Sequence, residues 1–185
     1  PPRIVFLGDS LTAGFGLPPE EAYPALLEDQ LAASGIDATV VNAGVSGDTS
    51  AGGLRRIGWI LGPPTDILLI ALGGNDGLRG LPTEALARNL TAMIESARAR
   101  HPDIKIILAG MQMPASMGET YQREFAAVYP HVAEKTDVIL IPFLLEGVAG
   151  EPHLNQPDAI HPNAEGQTLI AKTVMPYLMQ ALEGR

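Results

Sequence analysis

The feature that most restricts the fold of this chain is a set of five short apolar runs, rich in β-branched residues. The runs occupy residues 4–7, 39–41, 67–72, 104–108 and 138–141, and each is bounded by Gly, Pro or Asp. Runs of this length and composition are typical of strands that are buried on both faces. Such strands occur in parallel sheets covered by helices, so few folds remain open to the chain.

The intervals between these runs carry apolar residues at helical spacing. A closing helix is expected after Pro162, with a kink at Pro176. Because strands and helices alternate, the connections are expected to be right-handed crossovers between parallel strands. We predict an α/β fold, a three-layer α/β/α sandwich around a five-stranded parallel sheet in flavodoxin-like order, formed by residues 1–185 as a single domain.

Composition argues against several classes of function. Twelve Lys and Arg against 21 Asp and Glu give a net charge of −9, which is unsuited to a nucleic-acid partner. The chain has no cysteine, so no disulfide or thiolate metal site is expected. Its apolar stretches are too short for stable membrane insertion. Nothing at its start resembles a signal peptide, and Pro1 is compatible with a leader that has been removed. The oligomeric state stays open, and a monomer fits the sequence.

Four loops are expected at the carboxyl edge of the sheet, where ligands bind in folds of this type. They contain residues 8–10, 42–44, 73–76 and 158–162. Ser10 follows the first strand and is either a helix cap or a displayed nucleophile. Because the loops share one edge, their polar side chains are expected to lie close together.

His161 is the histidine with a built-in partner. Asp158 precedes it by three residues, close enough to accept the imidazole N–H and to stabilise the imidazolium. The alternative is a solvated turn in which Asp158 makes an Asx-type bond. With Ser10 as nucleophile, this pair would complete a catalytic triad.

Asn75 and Gly44 are candidate donors to an oxyanion. Two glycines precede Asn75, so the backbone can approach a ligand closely while the Asn amide donates a hydrogen bond. Gly44 would offer a backbone N–H at a position without a side chain. With the Ser10 amide, these groups would make three donors. Ordinary turn chemistry also accounts for Asn and Gly at such positions, so both interpretations stand.

These residues resemble blocks of the SGNH hydrolases, also called GDSL esterases. The blocks are "GDSL" with Ser10, "NAGVSGDTS" with Gly44, "GGND" with Asn75, and "DAIHPN" with Asp158 and His161. They occur in the family's order across almost the whole chain. The segments "GDSLTAGFGL", "LGGNDGLRGL" and "MPASMG" are similar to the bacterial periplasmic arylesterase, acyl-thioesterase and lysophospholipase branch.

The resemblance implies a serine esterase with no metal and no cofactor, acting on small acyl esters or thioesters. It implies Ser10 as nucleophile, His161 as base, Asp158 as its orienter, and a periplasmic or secreted location; a cytoplasmic location is the alternative. Apolar residues near the loops could contact the acyl group: Leu11, Leu78, Met111 and Ile160. A carbohydrate O-acetyl esterase of the same family is an alternative within this chemistry.

Two other classes of site are compatible with this sheet edge. Asp9, Asp48 and Asp76 follow strands and could hold Mg²⁺, although no P-loop is present. A non-catalytic ligand-binding module is the other class, since a fold does not fix a function.

Overall fold

The five predicted strands form one parallel sheet. The computed structural model describes residues 1–184, and the strands are β1 (Arg3–Gly8), β2 (Thr39–Gly44), β3 (Ile67–Ala71), β4 (Lys105–Ala109) and β5 (Ile139–Ile141). Their order is β2-β1-β3-β4-β5, and every neighbouring pair is parallel. The predicted α/β class and the flavodoxin-like order are confirmed.

Helices cover both faces of this sheet. They are α1 (Ser10–Ala13), α2 (Tyr23–Ala33), α3 (Ser50–Ile60), α4 (Gly74–Leu78), α5 (Thr83–Arg100), α6 (Glu119–Thr136) and α7 (Ala164–Glu183). Helix α5 packs against α3 and α6, whereas α2 packs against α7. The sheet therefore lies between two helical layers, as predicted. Helix α7 continues through Pro176. Within residues 1–184, no helix has the length and apolar character needed to cross a membrane.

The core is centred on the middle strands. All five residues of β3 and five of the six residues of β1 are buried. Each large aliphatic side chain buried in this way stabilises the fold by about 1.5–3 kcal/mol. Strands β1 and β3 are buried because they have a neighbour on each side and helices on each face. This core fixes the carboxyl ends of the strands, from which the polar loops project.

Strand β2 differs from the prediction in two respects. It is an edge strand paired only with β1, so none of its residues is fully buried. It also extends through Gly44, which pairs with Gly8 of β1. Residues 42–44 are therefore part of the strand rather than a loop, because β1 offers backbone partners as far as Gly8. The loop after β2 begins at Val45.

Candidate active site

Ser10 lies at a sharp turn between β1 and α1. The Asp9 carboxylate accepts the N–H of Leu11 at 3.0 Å and so caps the helix. Of the two alternatives for Ser10, the helix cap is made instead by Asp9, which leaves the Ser10 side chain free of that role. Ser10 is the first residue of α1, where backbone N–H groups have no partner within the helix. A Cβ on Gly8 would lie 2.1 Å from Thr12 Oγ1, so this turn requires glycine there.

Asp9 is almost fully buried beside this turn. Burial raises its pKa from 3.8 to about 6, and the hydrogen bond from the Leu11 N–H partly opposes that rise. The neighbouring charge of Asp48 raises the pKa further, whereas that of His161 lowers it. The Asp9 carboxyl group is therefore protonated more easily than that of an exposed aspartate.

Asp158 and His161 form the predicted pair. His161 Nδ1 lies 2.6 Å from Asp158 Oδ2, and an ionised carboxylate can only accept, so the imidazole donates. The other carboxylate oxygen accepts the backbone N–H groups of Ile160 at 2.9 Å and His161 at 3.0 Å. The hydrogen bond from the His161 ring, followed by those backbone bonds, lowers the pKa of Asp158 to about 2. The Asx-type turn and the imidazole bond are therefore both present.

Phe15 and Gln156 join the two loops. The Phe15 and His161 rings have centroids 4.3 Å apart and planes inclined by 35°. Gln156 Nε2 donates to the Phe15 carbonyl at 2.7 Å and to the Pro162 carbonyl at 2.9 Å. The backbone N–H of Gln156 donates to the His161 carbonyl at 2.7 Å. No local pattern in the sequence predicts these contacts, which hold His161 beside the turn that carries Ser10. Within the described chain, no hydrogen bond joins the Ser10 hydroxyl to the imidazole.

Asn75 lies in α4, next to the loop after β2. Its Nδ2 donates to the backbone carbonyl of Asp48 at 2.9 Å, which fixes the orientation of the amide. Asp48 in turn forms an ion pair with Arg56, at 2.7 Å. Arg56 also donates to the carbonyls of Ala43 and Gly8, at 2.8 and 3.0 Å. This arginine therefore ties together the ends of β1 and β2 and the loop that supports Asn75.

The structure does not support Gly44 as a free donor. Its N–H donates to the Asn42 side-chain oxygen at 2.9 Å. A Cβ at this position would lie 2.4 Å from the Ala13 nitrogen, so glycine is required for packing of β2 against α1. Gly44 thus differs from the loop position expected for it, because residues 42–44 belong to the strand and not to the loop.

Gly47 is the glycine of this loop that has an unused N–H. It is exposed, has φ +83° and makes no backbone N–H hydrogen bond within the described chain. It directly precedes Asp48, whose carbonyl holds Asn75. A signal for it existed in the sequence, since the block "NAGVSGDTS" contains a second glycine nearer the following helix.

The four predicted acyl-contact residues divide into two groups. Leu78 and Ile160 are exposed at 52% and 58% of their surface. Leu11 and Met111 are buried and belong to the core cluster. The structure therefore leaves Leu78 and Ile160 accessible to a ligand, while packing accounts for Leu11 and Met111.

The three carboxylates considered for Mg²⁺ are each engaged by groups of the chain. Asp9 caps α1 and Asp48 pairs with Arg56. Asp76 accepts the Ser50 N–H at 2.8 Å and its hydroxyl at 2.7 Å. Across residues 1–184, no group of three or more His, Asp or Glu side chains has an arrangement that could hold a metal ion.

A search of protein families finds one that matches most of the chain. The GDSL-like Lipase/Acylhydrolase family matches residues 6–169. Three curated relatives are Esterase TesA of Pseudomonas aeruginosa, Arylesterase of Vibrio mimicus and Thioesterase 1/protease 1/lysophospholipase L1 of Escherichia coli strain K12. They are 42%, 39% and 38% identical, and the alignments cover 97%, 97% and 91% of this chain and 89%, 90% and 79% of the relatives.

Solved structures share the same architecture. The psychrotrophic esterase EstA from Pseudoalteromonas sp., described as inhibited by monoethylphosphonate, is similar with a TM-score of 0.93 and 34% identity, over 99% of this chain and 100% of that one.

Proposed function

The chain belongs to the GDSL-like lipase/acylhydrolase family and is a serine ester hydrolase; from this premise we propose that Ser10, His161 and Asp158 are its catalytic triad. The observation that carries the proposal is the hydrogen bond of 2.6 Å between His161 Nδ1 and Asp158 Oδ2. This bond fixes the tautomer in which Nε2 has a free lone pair and can accept a proton. Residues 1–185 would then form a single catalytic domain, since one sheet and one core run through the described chain.

In the proposed acylation step, His161 Nε2 removes the Ser10 proton while Ser10 Oγ attacks the acyl carbon. The C–O or C–S bond to the leaving group then breaks, and the imidazolium returns its proton to the departing atom. Water attacks the acyl-enzyme in the same way, which releases the acid and restores Ser10. The contact between Ser10 and the imidazole belongs to this proposal, because catalytic hydrogen bonds often tighten only when substrate is bound.

The oxyanion would be held by three donors: the N–H groups of Ser10 and Gly47 and the side-chain amide of Asn75. The Ser10 N–H is available as the first group of α1. Asn75 has a second amide proton that its bond to the Asp48 carbonyl does not use. We favour Gly47 over Gly44 because the Gly44 N–H is already donated to Asn42. Each donor would contribute about 3–4 kcal/mol to stabilisation of the transition state.

The exposed apolar residues around this site support the proposed substrate class. Leu78 and Ile160 are exposed at the proposed site, as are Phe15, Val45 and Leu81 in neighbouring loops. An open apolar surface of this kind suits aryl esters and short to medium acyl chains, with acyl thioesters and lysophospholipids as related substrates. Relatives named arylesterase and thioesterase agree with this breadth. The periplasmic or secreted location implied by the sequence resemblance is part of the same proposal, which fractionation of cells expressing the native gene would test.

The test of the triad is the initial rate on p-nitrophenyl esters of increasing acyl length for the wild type and Ser10→Ala. We expect a loss of kcat by about 10³-fold or more in the variant with no change in melting temperature. Ser34→Ala is the matched control, because Ser34 is exposed at the end of α2, and it should behave as the wild type. Residual turnover of Ser10→Ala near the wild-type rate would contradict the assignment of the nucleophile.

A further inference from the structure

Exposed apolar side chains are concentrated around the proposed active site. The large ones exposed in the described chain are Phe15, Val45, Trp59, Leu78, Leu81 and Ile160. All but Trp59, which lies on α3, are in loops or helix ends at the carboxyl edge of the sheet. Exposure of apolar side chains to water costs free energy. A cluster of them at one edge of the sheet is therefore typical of a binding surface. Phe15 differs from the others since its ring contacts the proposed base.

The position of Phe15 is set by contacts on its backbone and on its ring. Its carbonyl accepts the Gln156 amide at 2.7 Å, and its ring lies 4.3 Å from the His161 ring, measured between centroids. A Cβ on the next residue, Gly16, would come within 2.3 Å of the Gln156 side-chain oxygen. The loop is thus closely packed against Gln156. Nevertheless 48% of the Phe15 surface is exposed, so a ring held in place presents free aromatic surface to solvent.

The chemistry of the proposed mechanism tells which part of a substrate would meet this ring. In acylation, the bond from the acyl carbon to the leaving group breaks, and the His161 imidazolium gives its proton to the departing oxygen or sulfur. The leaving group must therefore lie within hydrogen-bond reach of His161. The acyl oxygen must lie instead at the oxyanion donors, which include Asn75. Leu78 is in the same helix as Asn75 and is therefore on the acyl side of the proposed site.

We propose that Phe15 forms a leaving-group subsite that favours esters and thioesters of flat aromatic alcohols and thiols. This inference rests on the proposed function of Ser10 and His161. The exposed ring of Phe15 can stack on an aryl group that leaves from the His161 side, in the offset or edge-to-face arrangements that aromatic pairs prefer. Ile160, exposed and adjacent to His161 in sequence, would contact the rim of the same group.

The test compares two acetate esters that share an acyl group and differ in the leaving group, phenyl acetate and cyclohexyl acetate. The quantity is kcat/KM, which reports on steps through acylation, whereas deacylation is common to both esters. For each variant, kcat/KM for phenyl acetate is divided by kcat/KM for cyclohexyl acetate. Comparing this ratio with that of the wild type removes the difference in intrinsic reactivity between the two esters. The variants are Phe15→Leu, Phe15→Tyr, which keeps a ring, and the control Trp59→Leu, which removes an exposed aromatic ring on α3 outside the proposed binding surface.

We expect Phe15→Leu to lower the phenyl-to-cyclohexyl ratio roughly three- to tenfold, and Phe15→Tyr to restore it. Trp59→Leu should leave the ratio unchanged. An equal loss for both esters in Phe15→Leu would overturn the subsite and make Phe15 a positioning residue for His161. An unchanged ratio in Phe15→Leu, or an equal fall of the ratio in Trp59→Leu, would also overturn it. Ser10→Ala separates the two proposals, because turnover of both esters in that variant contradicts the proposed function itself.

Discussion

The side chain of Gln156 bridges the loop that follows Ser10 and the loop that carries His161. Its amide nitrogen lies 2.7 Å from the Phe15 carbonyl and 2.9 Å from the Pro162 carbonyl. The two loops are 141 residues apart in sequence at this contact. Together with the contact between the Phe15 and His161 rings, this side-chain amide helps to set the relative position of the proposed nucleophile and base, although it touches neither reacting group.

Replacing Gln156 should therefore slow catalysis without unfolding the protein. In Gln156→Leu both hydrogen bonds of the side-chain amide are lost. The hydrogen bond from the Gln156 backbone N–H to the His161 carbonyl stays. We expect kcat to fall by about tenfold or more for all esters alike, since small displacements of catalytic groups have large effects. Steady-state kinetics with phenyl and cyclohexyl acetate measure this. The exposed Gln180 on α7 provides the control Gln180→Leu. A wild-type kcat in Gln156→Leu would show that the bridge is not needed.

Gly47→Ala should reduce kcat more than its effect on stability explains. Gly47 and Gly35 have similar φ angles, +83° and +78°, and neither has an atom within 4 Å of an added Cβ. Alanine in this conformation costs about 1–2 kcal/mol at each position. Only Gly47 is a proposed oxyanion donor, so only its variant should lose turnover, by about 10-fold or more. Urea denaturation and kcat for both variants test this; parallel loss of turnover in Gly35→Ala would contradict it.

Asp158→Asn should leave the loop intact and remove most activity. The asparagine oxygen can still accept the N–H groups of Ile160 and His161. Its amide nitrogen cannot accept the imidazole proton, so the favoured tautomer is lost and kcat should fall by about 10³- to 10⁴-fold. A rate near that of the wild type would make Asp158 a turn residue only.

The same variant has a pH signature in stability. The pKa of Asp158 is lowered to about 2, first by its bond with the His161 ring, so the ionised carboxylate stabilises the folded state. That contribution is present above the ordinary pKa of about 4 and is lost as the pH falls through 2. Urea midpoints of the wild type and Asp158→Asn should therefore differ near neutral pH and converge in acid.

Asp9 should have the opposite effect on stability. Burial raises its pKa from 3.8 to about 6, so the folded state binds a proton more tightly than the unfolded state does. The wild type should lose about 3 kcal/mol of unfolding free energy, relative to Asp9→Asn, as the pH rises from 4 to above 6. Urea denaturation between pH 4 and 8 measures this difference. The exposed Asp37 supplies the control Asp37→Asn, whose unfolding free energy should vary with pH in parallel with that of the wild type. If the difference in unfolding free energy between the wild type and Asp9→Asn did not change with pH, the prediction would be refuted.

The strands could be predicted from the sequence because burial dictates their composition. The run at 67–72 is apolar throughout, and the strand found there, Ile67–Ala71, has helices on both faces and a strand on each side. The parallel direction of the strands followed from the alternation of strands and helices, and the flavodoxin-like order chosen among parallel sheets is confirmed. The Asp158 and His161 pair was predictable for a different reason, since a three-residue spacing within one turn is a local property of the backbone.

Contacts between distant segments were decided only by the tertiary structure. Gly44 belongs to β2, and not to a loop, because pairing with Gly8 extends the strand. Arg56 joins Gly8, Ala43 and Asp48, and Gln156 joins Phe15 to the His161 loop. Sequence spacing predicts partners a few residues apart, since the local backbone limits where they lie. It does not set the distance between loops that meet only when the sheet and its helical layers have packed, because that distance depends on the whole core.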